Sequence, residues 1–529
     1  MRSKGVVAAA VLSCTLLTGG WLMERSWTGG SRSLASRAHL FDEVLEHVRN
    51  DYVDTLPDSL IYRHAIVGAL GELHDPHSVF LDPRRLGRLE ESTSGHYAGV
   101  GIQMDLRDSG ITVVATLPGS PAEQAGILTG DRIVSIEAKA ANGLTSDEAL
   151  KSLRGAEGTP VKVIVERPGV AERLPFTLVR RRIEVNPVRY AIFLGDGVGY
   201  VDLTVFSEAA AADLSGAIDS LRTAGAKSLV LDLRGDRGGL LGQGVDVADL
   251  FLDRGQRIVS TRGRIPQESQ SFDDRAAQRW ADMPIVVLTD SNSASASEIV
   301  AGALQDHDRA LIVGTATYGK GSAQRLFKVN ENALKLTTAL WYTPSGRSIN
   351  RPRKTTPEPD DEEDAPAKPD SIARPSFRTD AGRTVLGGGG IVPDVEVGSR
   401  ATAAGDRALQ VALGSKAQRF RDAMLEYALV LKTSHAITDP SFQVTPAMRD
   451  ELYRRLQARS VSVPRPVYDS AAPLVNRALG GQVARYVFGT RTEFTRLLAE
   501  DPAMARAQAL LRGVRSQKEL LARASAKAR

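Results

Sequence analysis

The stretch from Ser291 to Gln324, SNSASASEIVAGALQDHDRALIVGTATYGKGSAQ, gathers the side chains of this sequence best suited to chemistry. Four serines share one uncharged turn, an apolar segment of helical period follows, and a lysine stands between two glycines. Ala296, Ile299, Val300, Ala303 and Leu304 recur at helical spacing, so a helix starts near Ser295. The unpaired N–H groups and positive dipole end of such a start face a carbonyl attacked there, which suits a nucleophile. A serine hydroxyl is unreactive near neutral pH unless a base stands within about 2.6–3.2 Å.

His307 and Asp306 suggest a Ser-His-Asp triad. If the helix runs on to them, its rise of about 1.5 Å per residue places them about 16–18 Å from Ser295. His307 is therefore set aside as the base, and Asp306 is read as supporting the fold. Lys320 is the better candidate. Gly319 and Gly321 let its backbone approach closely after the strand Leu311–Gly314 returns to the sheet. A solvated lysine, with a pKa of about 10.4, is protonated; apolar burial lowers that value and leaves a neutral amine that accepts the serine proton. Gln324, four positions on along an extended segment, falls on the same face and could orient the amine. A rival reading takes Gly314 to Gly321 as a phosphate-binding loop. Gly321 replaces the hydroxyl that would hold magnesium, and RLFKVNENALKLTTALWY alternates as strand where that loop needs a helix.

The elements that must hold these residues alternate strand and helix, which argues for an α/β core. GYVDLTVF from Gly199 reads as a strand, residues 208–223 as an amphipathic helix, and Ser228–Arg234 and Pro284–Thr289 as buried strands. The turn Gly235-Asp-Arg-Gly-Gly239 leaves backbone amides at Gly238 and Gly239 unobstructed by Cβ, for a phosphate or for the oxyanion of a tetrahedral intermediate.

Upstream, residues 36–92 read as helices, with Leu40, Val44, Leu45 and Val48 at helical spacing. Asp75-Pro76-His77-Ser78 breaks the pattern. No carboxylate or cysteine completes a ligand set for His74 and His77, so they are read as part of a structural turn and no metal is expected. Next, YAGVGIQM and VVATLPGSPAEQAGILTGDRIVSI are β-rich around a short helix started by Ser120-Pro121. Gly99, Val100, Gly101 and Ile102 offer backbone N–H groups to a terminal carboxylate, and the adjacent strand edge can pair with an extended peptide. This stretch resembles a PDZ domain, which implies that the protein grips free chain ends.

Residues 37–399 resemble the C-terminal processing peptidases, or tail-specific proteases, of the serine–lysine type. The residues that carry the resemblance are Asp75–Ser78, the PDZ segment, Leu231–Arg234 with Gly238-Gly239, Ser293–Glu298, Tyr318–Gly321 with Gln324, Thr338–Ile349 and Gly390–Asp394. The resemblance implies Ser295, not Ser293 or Ser297, as nucleophile, Lys320 as general base and Gln324 as its positioning partner. It further implies an oxyanion hole from the amides of Ala296 and Gly238 or Gly239, an auxiliary role for Asp306, and a crotonase-like α/β core. The family turn Asn-Asn-Pro-Gly-Gly is replaced here by Gly-Asp-Arg-Gly-Gly, which leaves the choice of oxyanion amide open.

The expected organisation is α/β and multidomain: a signal anchor or signal peptide (1–24), an N-terminal helical region (36–92), a PDZ domain (93–181), the protease core (183–399) and a C-terminal helical region (400–529). Within the core, residues 351–376 form a flexible insert, too rich in proline and acid to bury a core. The chain has 529 residues, 42% apolar and 25% charged, with a net charge of +4. That composition is globular, and so small a net charge predicts no nucleic-acid surface. After Ala505 seven Lys/Arg face Glu519 alone, read as a solvated helix face in preference to a contact with acidic lipid. Arg2 and Lys4 precede the apolar run Gly5–Met23, long enough to span a bilayer with its basic end in the cytoplasm. The body of the chain is thus expected on the extracytoplasmic, or periplasmic, side of the cell envelope, anchored to the inner membrane. Cys14 is the only cysteine, so no intramolecular disulfide forms. The expected partners are polypeptides with free apolar C-termini, the membrane, and a homo-oligomer or an adaptor protein. No cofactor is expected. The competing class is a catalytically silent PDZ scaffold.

Overall fold

The computed structural model describes residues 36–107, 110–351, 374–398, 400 and 402–526. The expected membrane anchor, Cys14 and most of the proline-rich insert lie outside the described residues. Among those described, no helix is long and apolar enough to cross a membrane. The chain divides into two units, one of residues up to Pro83 with Gln324–Thr337, the other of Arg84–Ala323 with Thr338 onward.

In the first unit a helix over 36–51 and another over Asp58–Gly71 precede a short strand, Val79–Leu81. That strand pairs antiparallel with Ala333–Lys335. Of the apolar residues at helical spacing in the first helix, Leu45 is buried and Leu40, Val44 and Val48 are exposed.

The second unit is built on a six-stranded sheet. Its members are β1 (Val188–Phe193), β2 (Val198–Leu203), β3 (Ser228–Asp232), β4 (Ile285–Thr289), β5 (Leu311–Gly314) and β6 (Val395–Glu396), in that spatial order. β1 runs antiparallel to β2 and the others are parallel, with Val201, Leu231, Val287 and Ile312 in register across the middle. Helices α1 (Ala210–Thr223), α2 (Leu241–Asp249) and α3 (Ala296–Asp306) lie in the crossovers. Leu214, Ile218, Val247, Ala248, Ile299 and Val300 from these helices close one face against Val201, Leu231, Val287 and Ile312.

What covers the other face was not anticipated. Helices Thr490–Ala499, Pro502–Leu511 and Gln517–Ala526 bring Leu498, Met504, Ala507, Leu510 and Leu520 onto Tyr200, Val230, Val286, Leu288, Leu311 and Val313. A sheet covered on both faces explains why its central strands read as unbroken apolar runs. Of the basic residues read as a solvated helix face, Arg506, Lys518 and Arg523 sit on helices whose apolar side completes the core. Asp501 caps the second of these helices by accepting Met504 N–H at 2.8 Å, and its other oxygen takes Arg234 Nη1 at 2.7 Å. Gln517 Oε1 accepts the first amide of β4, Ile285 N–H, at 2.8 Å.

Two further modules complete this unit. Residues 100–178 enclose their own core around Ile111, Val113, Ile133, Val161, Val163 and Leu178. Helices between Ala404 and Val483 form another around Ala428, Leu452, Val475 and Leu479. Thr445 starts one of these helices as expected, its hydroxyl accepting Met448 N–H at 3.2 Å. The two modules touch where Lys432 Nζ donates to the Thr129 carbonyl at 2.8 Å.

Candidate active site

The loops leaving the C-terminal ends of β3, β4 and β5 meet, as ligand-binding loops of parallel sheets do. The first two are fastened by a short set of hydrogen bonds. Gly235 N–H donates to Asp290 Oδ1 at 3.0 Å, Ser293 Oγ to the Leu233 carbonyl at 2.8 Å, and Ala294 N–H to the Asp236 carbonyl at 3.0 Å. Ser297 Oγ donates to the same Asp236 carbonyl at 2.9 Å. Ser293 and Ser297 are thus fully buried with hydroxyls committed to backbone. Ser295 is half-buried and no acceptor for its hydroxyl proton is found among the described residues.

Ser295 also has the unusual backbone. Its φ of 56° is one a non-glycine residue adopts at a cost of roughly 1–3 kcal/mol. It caps α3, so the first helical amide, Ala296 N–H, meets no acceptor among the described residues. The glycine turn presses against this point. A Cβ on Gly238 would lie 2.7 Å from Ala294 O, 2.8 Å from Ala296 N and 2.9 Å from Ser295 Cβ, so only glycine allows the approach. The two glycines then differ. Gly238 is buried and its N–H donates to Asp236 Oδ1 at 2.7 Å, whereas Gly239 is exposed and its N–H meets no acceptor among the described residues.

A residue given no role in the sequence reading ties the site together. Glu298, fully buried in the first turn of α3, receives four donors. Ser295 N–H and Lys320 N–H reach Oε2 at 2.8 and 2.9 Å; Thr317 Oγ1–H and Gly319 N–H reach Oε1 at 2.5 and 2.7 Å. Burial pushes the carboxyl pKa up, against the pull of these hydrogen bonds. The backbones of Ser295 and Lys320 therefore hang on a single oxygen. The signal was present in the sequence as Ser295-x-x-Glu298, the pattern of a capping box. The glycines flanking Lys320 allow the close approach expected of them. A Cβ on Gly319 would come within 2.9 Å of Gly390 N, and one on Gly321 within 2.8 Å of Asn350 N.

Two other sequence candidates, Asp306 and His307, lie apart from this cluster. At the far end of α3, Asp306 Oδ1 accepts Arg347 Nη2 at 2.6 Å inside the core, and Oδ2 accepts Ser345 N–H at 3.0 Å. Burial lowers the pKa of Arg347, and the Asp306 carboxylate opposes that shift. His307 is engaged at both nitrogens, by Asp380 Oδ2 and the Arg257 carbonyl, each at 2.7 Å. Gln324 belongs to the first unit. There its amide donates to Thr337 Oγ1 at 3.2 Å, Thr337 N–H donates to Ser78 Oγ at 3.1 Å, and Ser78 Oγ–H donates to Asp75 Oδ2 at 2.7 Å. The Asp75–Ser78 turn thus steadies the strand that faces Gln324. His74 and His77 join no metal-ligand cluster among the described residues.

In the module of residues 100–178, Ile102–Arg107 is an edge strand of a six-stranded sheet. The Val100 and Gly101 amides that precede it meet no acceptor among the described residues. Gly101 has a φ of 72° and its missing Cβ would strike Ser120 Cβ at 2.3 Å, so the loop is packed into a fixed shape. Free amides beside an open strand edge suit a peptide ending in a carboxylate.

Comparison with known proteins gives two family matches, peptidase family S41 over residues 197–360 and the PDZ domain over residues 98–177. The chain is 41% identical over 348 residues to the carboxy-terminal-processing protease of Bartonella bacilliformis, covering 65% of this chain and 79% of that one. It is 33% identical over 326 residues to the carboxy-terminal processing protease CtpA of Bacillus subtilis, covering 61% and 69%. Among solved structures it is similar to a photosystem II D1 C-terminal processing protease, at 29% identity and a TM-score of 0.35, over 67% of this chain and 85% of that one.

Proposed function

Since this chain belongs to peptidase family S41, among the carboxy-terminal-processing proteases that carry a PDZ domain, we propose that it is a serine endopeptidase using Ser295 and Lys320. The observation that carries this reading is the Glu298 carboxylate, which holds the backbones of both residues at one oxygen. Ser295 stands at a helix start with two unengaged amides nearby, and its neighbours Ser293 and Ser297 have their hydroxyls committed elsewhere.

In the proposed reaction Ser295 Oγ attacks a peptide carbonyl while its proton passes to the neutral amine of Lys320. The oxyanion is held by Ala296 N–H and an amide of the Gly238-Gly239 pair. Collapse breaks the C–N bond, and the leaving amine takes the proton from Lys320. Water then attacks the acyl-enzyme and gives a proton to Lys320; as the ester C–Oγ bond breaks, Lys320 returns that proton to Ser295 Oγ and the new carboxyl group loses its own to solvent. The loop at Gly99–Ile102 takes the C-terminal carboxylate of the substrate, whose tail extends the sheet along Ile102–Arg107. The role assigned to Gln324, orienting the amine, rests on its motif spacing from Lys320. The substrates are extracytoplasmic proteins, with residues 5–23 anchoring the enzyme to the inner membrane.

The test is cleavage of a reporter protein ending in a free apolar tail, by the wild type, Ser295→Ala and Lys320→Ala. Both variants should bind the tail and leave it uncut, and amidating the terminal carboxylate should weaken binding to all three. Cleavage that persists in both variants would refute the dyad. Tail binding without cleavage by the wild type would establish the silent scaffold instead.

A further inference from the structure

The turn that carries the two oxyanion glycines also holds a carboxyl group for which the mechanism above has no use. Asp236 is fully buried. Its Oδ1 accepts Gly238 N–H at 2.7 Å, and its Oδ2 is buried with no hydrogen-bond partner. Its carbonyl oxygen accepts Ala294 N–H and the Ser297 hydroxyl from the opposite loop. One residue therefore holds the glycine turn with its side chain and the serine turn with its backbone.

A carboxylate in such a place would be a buried anion with one oxygen bare, which is costly. A neutral carboxylic acid whose carbonyl oxygen rests on Gly238 N–H fits far better. Burial accordingly pushes the Asp236 pKa up to about 8; the Gly238 N–H and the Ser297 hydroxyl on α3 oppose the shift, and the like charge of Asp202 at the end of β2 adds to it. The consequence for the glycines is a division of labour. Gly238 is buried with its N–H committed to Asp236, and Gly239 is exposed with its N–H unengaged among the described residues.

On the peptidase reading above, we propose that Asp236 is the positioning residue of the oxyanion turn and acts as a neutral acid. Protonated, it fixes Gly238 and leaves Gly239 N–H to join Ala296 N–H at the developing oxyanion. When its proton is lost to solvent, a buried negative charge stands in the same turn as the tetrahedral intermediate and opposes its formation. Activity therefore falls on the alkaline side as Asp236 ionises.

The experiment uses the full chain and the tailed reporter, with kcat and KM followed across neutral and alkaline pH. The wild type should fall by at least about tenfold from its optimum on the alkaline side, the effect of a like charge at short range in a partly screened site. Asp236→Asn keeps an oxygen for Gly238 N–H but cannot ionise, and should lose that alkaline fall. Asp236→Ala removes the acceptor and should show a lower kcat at every pH with KM little changed. A readout independent of turnover is the protonated-carboxyl band in the infrared difference spectrum of wild type against Asp236→Asn at neutral pH, which separates Asp236 from Glu298. Alkaline limbs that coincide in the wild type and Asp236→Asn would overturn the proposal, as would absence of the band from that difference spectrum. Cleavage surviving Ser295→Ala would instead overturn the serine reading, and the infrared band would still decide the protonation of Asp236.

Discussion

Replacing Glu298 by glutamine changes one atom in the fully buried group on which Ser295 and Lys320 both hang. The carboxylate meets four donors and no acceptor. An amide offers one oxygen, sufficient for two of them, and turns two N–H bonds toward the other two. The better rotamer keeps the oxygen on Ser295 and Lys320 and aims the NH2 group at Thr317 and Gly319. The Thr317 hydroxyl can rotate to accept, whereas Gly319 N–H cannot. One buried amide is then stranded, at a cost of about 1–3 kcal/mol. Urea titration should therefore place Glu298→Gln about 1–3 kcal/mol below the wild type. The difference should depend on pH. Burial raises the folded pKa of Glu298 above its unfolded value, so wild-type stability is greatest at low pH and declines to that of the ionised group, for which the hydrogen-bond cost was reckoned, as pH rises through the folded pKa. The gap to Glu298→Gln should narrow in that direction. In the tailed-reporter assay kcat should fall by about a hundredfold, the effect of a misplacement of about 1 Å between reacting groups, with KM nearly unchanged. Wild-type kcat and wild-type urea midpoint together would refute the claim that this carboxylate aligns the two residues.

Two further expectations follow from the same geometry. Ser295→Gly should abolish cleavage and yet raise stability by roughly 1 kcal/mol, since glycine accepts the positive φ that serine adopts under strain; a thermal melt beside Ser295→Ala checks this. Asp501→Ala removes both a helix cap and the partner of Arg234, and should lower stability by about 1–2 kcal/mol in urea titration.

Much of this arrangement could be read from the residues. The apolar runs of β3, β4 and β5 announce buried strands, and the repeat from Ala296 to Leu304 announces the helix that starts at Ser295. Helix rise alone separates His307 from Ser295, and the structure engages that histidine with Asp380 and the Arg257 carbonyl. The role of Glu298 was hidden for a physical reason. The capping-box spacing marks its bond to Ser295 N–H, but the donors from Gly319 and Lys320 are backbone amides, which every residue owns, so no residue type at any spacing reveals them. The tail was hidden for another. The apolar faces at Leu498, Met504 and Leu510 mark amphipathic helices, but periodicity does not say which surface they cover, and the sheet face they cover looks like any other apolar strand. The glycine turn was legible as an oxyanion candidate, while the commitment of Gly238 to Asp236 depends on a side-chain rotamer that spacing cannot supply.

The covering of the sheet by Leu498, Met504, Ala507, Leu510 and Leu520 has a consequence for how the enzyme is born. Strands β2 to β5 leave the ribosome long before these residues do. At about 5–20 residues per second the wait lasts on the order of ten seconds or more. During that interval Val230, Val286 and Leu288 have no partner on that side, and Arg234, just before the glycine turn, has not met Asp501. Until then the sheet presents an apolar face on that side. The same delay postpones the Arg234–Asp501 contact beside the glycine turn until residue 501 has been made.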